Sequence, residues 1–294
     1  MIDSLLEKAR KLYEERKLAE ALKCYLEIEA LIENDADILI EIALIYDELG
    51  FYEKAIEYYE KVLAFDENNA RCYYGMATIY DNQKDYDKAI SFYKEAIALD
   101  NEYYEAHFFL ANIYDEIKET MLAIYHYQRV LMINPYHFYA YLNLGSIYES
   151  LNQDELALQL FLKALELDKQ NHLLFFNLGV VYRKLKQIDL SIINYEKALQ
   201  LSENYPYTYL NLALVYKDEK KDLDKAIEIY SQGIEKHPKE AVLLYNRACC
   251  YALLNEIDKA INDLKIAFSI NKDLFSYYLS DDELKNIAKT NFFA

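Results

Sequence analysis

Residues 55–63 read Ala55-Ile56-Glu57-Tyr58-Tyr59-Glu60-Lys61-Val62-Leu63, and 34 positions later the chain reads Ala89-Ile90-Ser91-Phe92-Tyr93-Lys94-Glu95-Ala96-Ile97. The register extends in both directions: Ala21 precedes it, and Ala123, Ala157 and Ser191 continue it at the same step. One residue is inserted near Lys217–Asp222, after which Ala226 and Ala260 resume the series. A fixed period of this length marks an array of supersecondary units and takes precedence over any reading of single elements. The blocks are 2–35, 36–69, 70–103, 104–137, 138–171, 172–205, 206–240 and 241–274, followed by a tail at 275–294.

Each block carries two apolar stripes at helical spacing, separated by a short polar turn. In block 138–171 the first stripe is Tyr141, Leu144, Gly145 and Tyr148, and the second is Leu156, Leu160, Phe161, Ala164 and Leu165. Residues spaced in this way share one face of a helix, so each block is a helix–turn–helix. Small residues recur where two helices must approach: Ala43, Ala77, Ala111, Gly145, Gly179, Ala213 and Ala248 on the first helix, facing Ala55, Ala89, Ala123, Ala157, Ser191 and Ala226 on the second. Tyr46, Tyr80, Tyr114, Tyr148, Tyr182, Tyr216 and Tyr251 are expected to fill the space around that contact, which makes much of the tyrosine excess structural.

The pattern of an aromatic, Leu-Gly, Tyr, a small residue and a second aromatic is met by Tyr141, Leu144-Gly145, Tyr148, Ala157 and Phe161. It is met again by Phe175, Leu178-Gly179, Tyr182, Ser191 and Tyr195. In this the sequence resembles the tetratricopeptide repeat (TPR) family over residues 2–274. The resemblance implies an all-α, right-handed superhelical solenoid of about eight helix–turn–helix TPR units. A single solenoid domain would then span 1–294, with the first helices lining a concave groove. The junction proline common in the family survives as Pro135 and Pro238, and Asn- and Asp-rich turns such as Glu67-Asn68-Asn69 are expected elsewhere. Ser280-Asp281-Asp282-Glu283 has capping-box form and should open one more helix, whose Leu284, Ile287 and Ala288 cap the last repeat.

Composition agrees with an array. Of 294 residues, 53% are hydrophobic, and only 5 Gly and 3 Pro are present, too few for the turns of an all-β fold. The formal net charge is −18, which argues against nucleic-acid binding and anionic membranes. Residues 1–137 hold 14 basic and 28 acidic side chains, whereas 138–294 hold 18 and 22. The N-terminus shows neither a secretory signal nor a membrane span, so membrane insertion is not expected and a cytoplasmic place is.

The groove implied by the resemblance would present Ile40, Tyr74, Phe108, Leu142, Phe176, Leu210 and Tyr245 together with the residues that follow them. Those successors include Asn143, Asn177, Asn211 and Asn246. An amide both donates and accepts, so a row of them suits the backbone of an extended segment. Helices packed roughly 10 Å apart match about three extended residues at ~3.3 Å each. The same row can instead hydrogen-bond between repeats, and both readings stay open. Tyr74, Phe108, Phe176 and Tyr245 are likewise either apolar anchors for a partner or half-buried side chains of the helix seam. In the first half the equivalents are Glu7, Glu41, Gly75 and Phe109. There Asp37, Glu41, Asp47, Glu48, Asp81, Glu105, Asp115 and Glu116 make an acidic lining that would favour basic residues in a partner. Arg183, Lys184 and Lys217 are expected to accommodate an acidic one further along. The Lys/Asn carboxylate clamp of some family members is not evident.

No phosphate-binding loop or HExxH motif occurs. The five histidines lack ligand spacing, and His107 stands where neighbouring blocks hold Tyr or Phe, as a packed aromatic would. Cys24, Cys72, Cys249 and Cys250 form no CxxC pair, and Cys249-Cys250 read as buried, reduced thiols. No catalytic residue, metal or cofactor is expected. The sequence points to a non-catalytic protein-interaction scaffold, a monomer or weak oligomer, that holds an extended peptide in its concave groove. The alternative is a structural subunit that self-associates through its convex face or its ends.

Overall fold

A computed structural model describes residues 2–288, all of whose regular elements are helical. The contacts divide the chain into two compact units, Met1–Ala140 and Tyr141–Ala294. The first holds α1 (Ile2–Glu14), α2 (Leu18–Glu29), α3 (Ala36–Glu48), α4 (Tyr52–Leu63), α5 (Ala70–Asn82), α6 (Tyr86–Leu99), α7 (Tyr104–Glu116) and α8 (Thr120–Ile133). α9 (Phe138–Ser150) starts at the boundary. The second unit continues with α10 (Asp154–Leu167), α11 (His172–Lys184), α12 (Ile188–Leu201), α13 (Pro206–Val215), α14 (Leu223–Lys236), α15 (Ala241–Leu253) and α16 (Ile257–Ile270). The short α17 (Leu274–Tyr278) and α18 (Lys285–Ala288) follow. Successive helices pack as hairpins, α1 on α2 and α3 on α4 in the first unit and α11 on α12 and α15 on α16 in the second.

The seam of each hairpin explains the period. Tyr25, Tyr59, Tyr93 and Tyr127 in the first unit, and Phe161, Tyr195 and Tyr230 in the second, are the largest fully buried side chains. Burying a ring of this size contributes roughly 2–3 kcal/mol. It requires a small residue opposite. A Cβ on Gly145 would lie 2.5 Å from the Phe161 ring, and one on Gly179 2.6 Å from Tyr195. The core ring therefore comes from the second helix of the hairpin. The Tyr46 row, expected to fill the seam, does so only in part. Tyr46 and Tyr114 are buried, but Tyr80, Tyr148, Tyr182, Tyr216 and Tyr251 are half-exposed at the rim. Two of these rings carry a cation: Lys88 lies 4.7 Å from the Tyr80 ring and Lys259 5.2 Å from that of Tyr251.

The hairpin turns share one geometry. Arg16, Gly50, Lys84, Lys118, Asn152, Lys186, Lys221 and Asn255 all have positive φ, between 57° and 79°. In seven of them the next amide then donates back to a carbonyl five residues earlier, as Glu119 does to Tyr114 at 2.8 Å; after Lys221 the Asp222 amide reaches Tyr216, six back, at 2.9 Å. At the junctions, where Asn- and Asp-rich turns were expected, Asp35, Asn69 and Asn171 also accept from the amides of Ile38, Cys72 and Leu174 and so cap the following helix. The inserted residue is absorbed inside a helix: Tyr216–Lys220 form a π-helical turn that ends at left-handed Lys221.

The tail packs on the last hairpin in two pieces, where one helix was expected. Tyr278, Leu284 and Ile287 are buried in one cluster with Ala248, Cys249 and Leu264. The cap is Asp281, which accepts from the Glu283 amide at 2.9 Å; the Ser280 hydroxyl instead donates to the Tyr277 carbonyl. A 3₁₀ turn, Asp282–Leu284, leads into α18, and the expected tail beyond residue 288 lies outside the described residues.

Candidate peptide-binding site

All four asparagines of the row lie in the second unit, on α9, α11, α13 and α15, and all are half-buried. Their local bonds differ. Asn177 Nδ2 donates to Ser146 Oγ on α9 at 3.2 Å, a link between successive repeats. Asn211 and Asn246 donate to the carbonyls of Tyr207 and Val242 on their own helices, both at 2.9 Å. Asn143 is also engaged in an interaction. One such bond fixes the side-chain rotamer and uses one of the four bonds an amide can make.

Phe176 is half-buried beside this row, its ring 5.1 Å from Tyr205 at a right angle and 5.7 Å from Tyr195. Tyr245 is buried, and its hydroxyl donates to Asp281 of the tail at 2.8 Å, so the chain's own C-terminal segment engages it. Burial and then Asp281 push that hydroxyl well above the ordinary tyrosine range. In the first unit, Tyr74 sits in an aromatic group with Tyr103 at 4.9 Å and Tyr93 at 5.9 Å. Phe108 packs on His137 at 4.5 Å and Tyr127 at 6.0 Å. Tyr74 and Phe108 thus both have ring neighbours within their own unit.

The expectation that Arg183, Lys184 and Lys217 would receive an acidic partner residue is corrected by their neighbours. Arg183 reaches Asp218 at 2.8 Å, and Lys184 reaches Glu149 at 2.6 Å. Lys217, turned by the π-helical turn, is buried against both oxygens of Glu283 at 2.8 and 2.9 Å. Burial lowers the Lys217 pKa, but Glu283 more than offsets this and the net shift is upward. Each of these cations already has a carboxylate of its own chain.

The acidic residues of the first unit are partly matched. Asp37 pairs with Arg71 at 2.6 Å, Glu48 with Arg16 at 2.6 Å and Glu116 with Lys84 at 3.7 Å. Glu41, Asp47 and Asp81 are half-buried, and desolvation raises their carboxyl pKa values. His107 and His126 meet inside the α7/α8 hairpin, Nδ1 to Nδ1 at 2.8 Å, a pairing the sequence reading did not foresee. All four cysteines are buried and free. Burial pushes the Cys250 thiol up to about 12 and Cys249 higher still, far from the thiolate a reactive cysteine needs. Among the described residues, no helix is long and apolar enough to cross a membrane.

Models of the tetratricopeptide repeat match residues 34–102, 74–137, 138–171, 160–192, 207–240 and 241–274, and a TPR repeat model matches 181–218. Together they run unbroken from 34 to 274. No curated protein matches the chain. Among solved structures, MamA is 25% identical over 57% of this chain and 92% of its own, with a TM-score of 0.52. YrrB, described as a TPR protein with an unusual peptide-binding site, is 26% identical over 67% of this chain and 97% of its own, also at 0.52. The C-terminal part of a TPR protein from Cytophaga hutchinsonii shares the fold at 18% identity and a TM-score of 0.64, over 79% of this chain and 95% of its own. With its 34-residue helical hairpins, small-residue seams and consecutive model matches, the chain belongs to the tetratricopeptide repeat family.

Proposed function

We propose that this protein is a non-catalytic interaction scaffold whose second unit holds an extended peptide along Asn143, Asn177, Asn211 and Asn246. The observation that carries the reading is the row itself: four half-buried amides, one per first helix at steps of 34, 34 and 35. The bonds of Asn177, Asn211 and Asn246 to their own chain orient these side chains before a ligand arrives, which lowers the entropy lost on binding. The likeness to YrrB supports a peptide as ligand. Phe176 supplies an apolar contact beside the row. Tyr245 works through the tail that engages it, and Tyr74 and Phe108 serve the first unit's seam. A partner with basic residues suits the acidic first unit. The reading requires no cofactor or metal, and it places the protein in the cytoplasm.

The test is a peptide selected on the wild-type protein from a random library, then titrated against the variant carrying Asn143→Ala, Asn177→Ala, Asn211→Ala and Asn246→Ala. Each lost hydrogen bond is worth about 0.5–1.5 kcal/mol, so affinity should fall by roughly 30-fold or more while thermal stability changes little. Backbone N-methylation of the peptide should weaken binding to wild type alone. Equal affinity of wild type and variant would sink the proposal.

A further inference from the structure

The second helix of most hairpins turns a charged face outward, and α8 does not. At the position of Met121 the other second helices hold Glu53, Asp87, Glu155, Asp189, Asp224 and Asp258, with Ala19 in the first block. An acidic residue there favours the helix dipole, so Met121 is no gain for the helix itself. Met121, Leu122, Tyr125 and Met132 share one outward stripe of α8, and exposed Tyr136 stands in the turn just past the C-cap Asn134, where the helix ends. They are 74, 43, 53, 71 and 79% exposed. No carboxylate lies on the stripe, whose polar members are Gln128 and Arg129.

From this surface we infer that α8 is a self-association face that pairs with α8 of a second copy in antiparallel orientation. Three observations choose a second copy over other occupants. The first is the spacing. Met121, Tyr125, Met132 and Tyr136 are separated by 4, 7 and 4 residues, a series that reads the same in reverse. A two-fold axis between Gln128 and Arg129 places Met121 opposite Tyr136 of the second copy and Tyr125 opposite Met132. Both of these outer contacts then join a thioether to an aromatic ring, a favourable pairing, with Gln128 meeting Arg129 at the centre, and the interface is isologous as two-fold symmetry requires. The second is charge. A chain of net charge −18 repels its own copies, and a face without carboxylates is where two copies approach at least cost. The third is area. Side chains of this size carry on the order of 200 Å² each, so these five expose roughly 600 Å². A standard interface takes about 800 Å² from each partner, and the stems of Gln128 and Arg129 supply much of the difference. This inference does not rest on the peptide reading, since the asparagine row and α8 share no residue.

Sedimentation equilibrium of the full chain over about 1–200 μM tests it. Wild type should dimerise. Tyr125→Glu with Met132→Glu should weaken the dimer at least about 30-fold, with an unchanged far-UV spectrum because both residues are exposed. Leu162→Glu, at another exposed apolar residue, should leave it intact. The register has its own readout: chains carrying Met121→Cys mixed with chains carrying Tyr136→Cys should cross-link to each other in preference to themselves. A wild type that stays monomeric throughout would overturn the inference and leave the face to a different protein. So would a dimer indifferent to the double substitution, or self-cross-linking that equals mixed cross-linking.

Discussion

The α9/α10 seam and the outward face of α8 follow opposite rules. In the seam, Phe161 occupies the same buried slot as Tyr59 and Tyr195, and a small residue stands opposite each time. On the outward face, Met121 replaces an acid that six other second helices retain. A slot closed on all sides tolerates one shape, so its residue type returns with the period. A surface position constrains only solubility and contacts, so it can diverge from one repeat to the next. In these two regions, packing follows what repeats, and the proposed self-association face follows what departs from the repeat, whereas the asparagine row keeps the period.

The most forceful way to break that contrast is to cut one residue from each side of one helix. Phe161→Ala should cost about 3–5 kcal/mol, because its cavity is walled by helices that cannot collapse onto it. Leu162→Ala, one residue on and exposed, should cost well under about 1 kcal/mol. Urea denaturation of the two variants measures the difference. Similar losses would mean that the seam is not where the stability of the second unit resides.

A departure within a seam should have a smaller, pH-dependent effect. His107 fills a position that holds Tyr73, Tyr141, Phe175 and Tyr209 in other hairpins, His126 one that holds Tyr58 and Phe92, and they face each other as a buried pair. Burial first, then His107 and Lys94, holds the His126 pKa down to about 4; burial and then Arg129 lower that of His107. A group whose folded pKa lies below its unfolded value of about 6.5 contributes stability above that value and loses it as pH falls towards the folded one. Glu41, Asp47 and Asp81 work in the opposite sense. Their raised carboxyl pKa values favour the folded state at low pH, and that contribution is lost as pH rises through them. Replacing both histidines by Phe should leave these carboxylates unchanged, so the difference between variant and wild type isolates the pair. Wild type should lose up to about 3 kcal/mol more than the variant between pH 7 and pH 4. Parallel profiles would remove the pair as the source.

The helices, their order and the small residues of the seam were legible because each is enforced eight times by the same steric demand. The Asn- and Asp-rich junction turns were legible, but the capping by Asp35, Asn69 and Asn171 shows only in the side-chain bonds to the next helix. Where an inserted residue goes was not: a π-helical turn and a longer loop lengthen the sequence equally, and only backbone bonding distinguishes them. The partners of Arg183, Lys184 and Lys217 were hidden for a related reason. Glu283 is 66 positions from Lys217, and no local pattern links them. The amide row was visible, but a bond such as that from Asn177 to Ser146 depends on how successive hairpins stack. The apolar stripe of α8 is carried by sequence alone, since Met121 stands where six other second helices hold an acid, but its exposure depends on which face the hairpin turns outward.

The smallest effect lies at the hairpin turns, where the repeat holds the backbone but not the residue. Eight turns place a residue at positive φ, and Gly50 is the one glycine among them. For an L-residue that conformation costs about 1–2 kcal/mol, less for Asn, whose short polar side chain tolerates it. Glycine avoids the strain but gives up about 0.5–1 kcal/mol through the freedom of the unfolded chain. Lys118, at φ 66°, is exposed, and the turn bonds run through backbone atoms, from its own amide to Asp115 and from Glu119 to Tyr114. Lys118→Gly should therefore stabilise the protein by about 0.5–1 kcal/mol, and Asn152→Gly by less. Thermal denaturation of both variants against wild type resolves the order. A loss at Lys118 would show that its alkyl stem contributes more by packing over the turn than its backbone loses to strain, which would bring the turn under the same side-chain constraint as the seam.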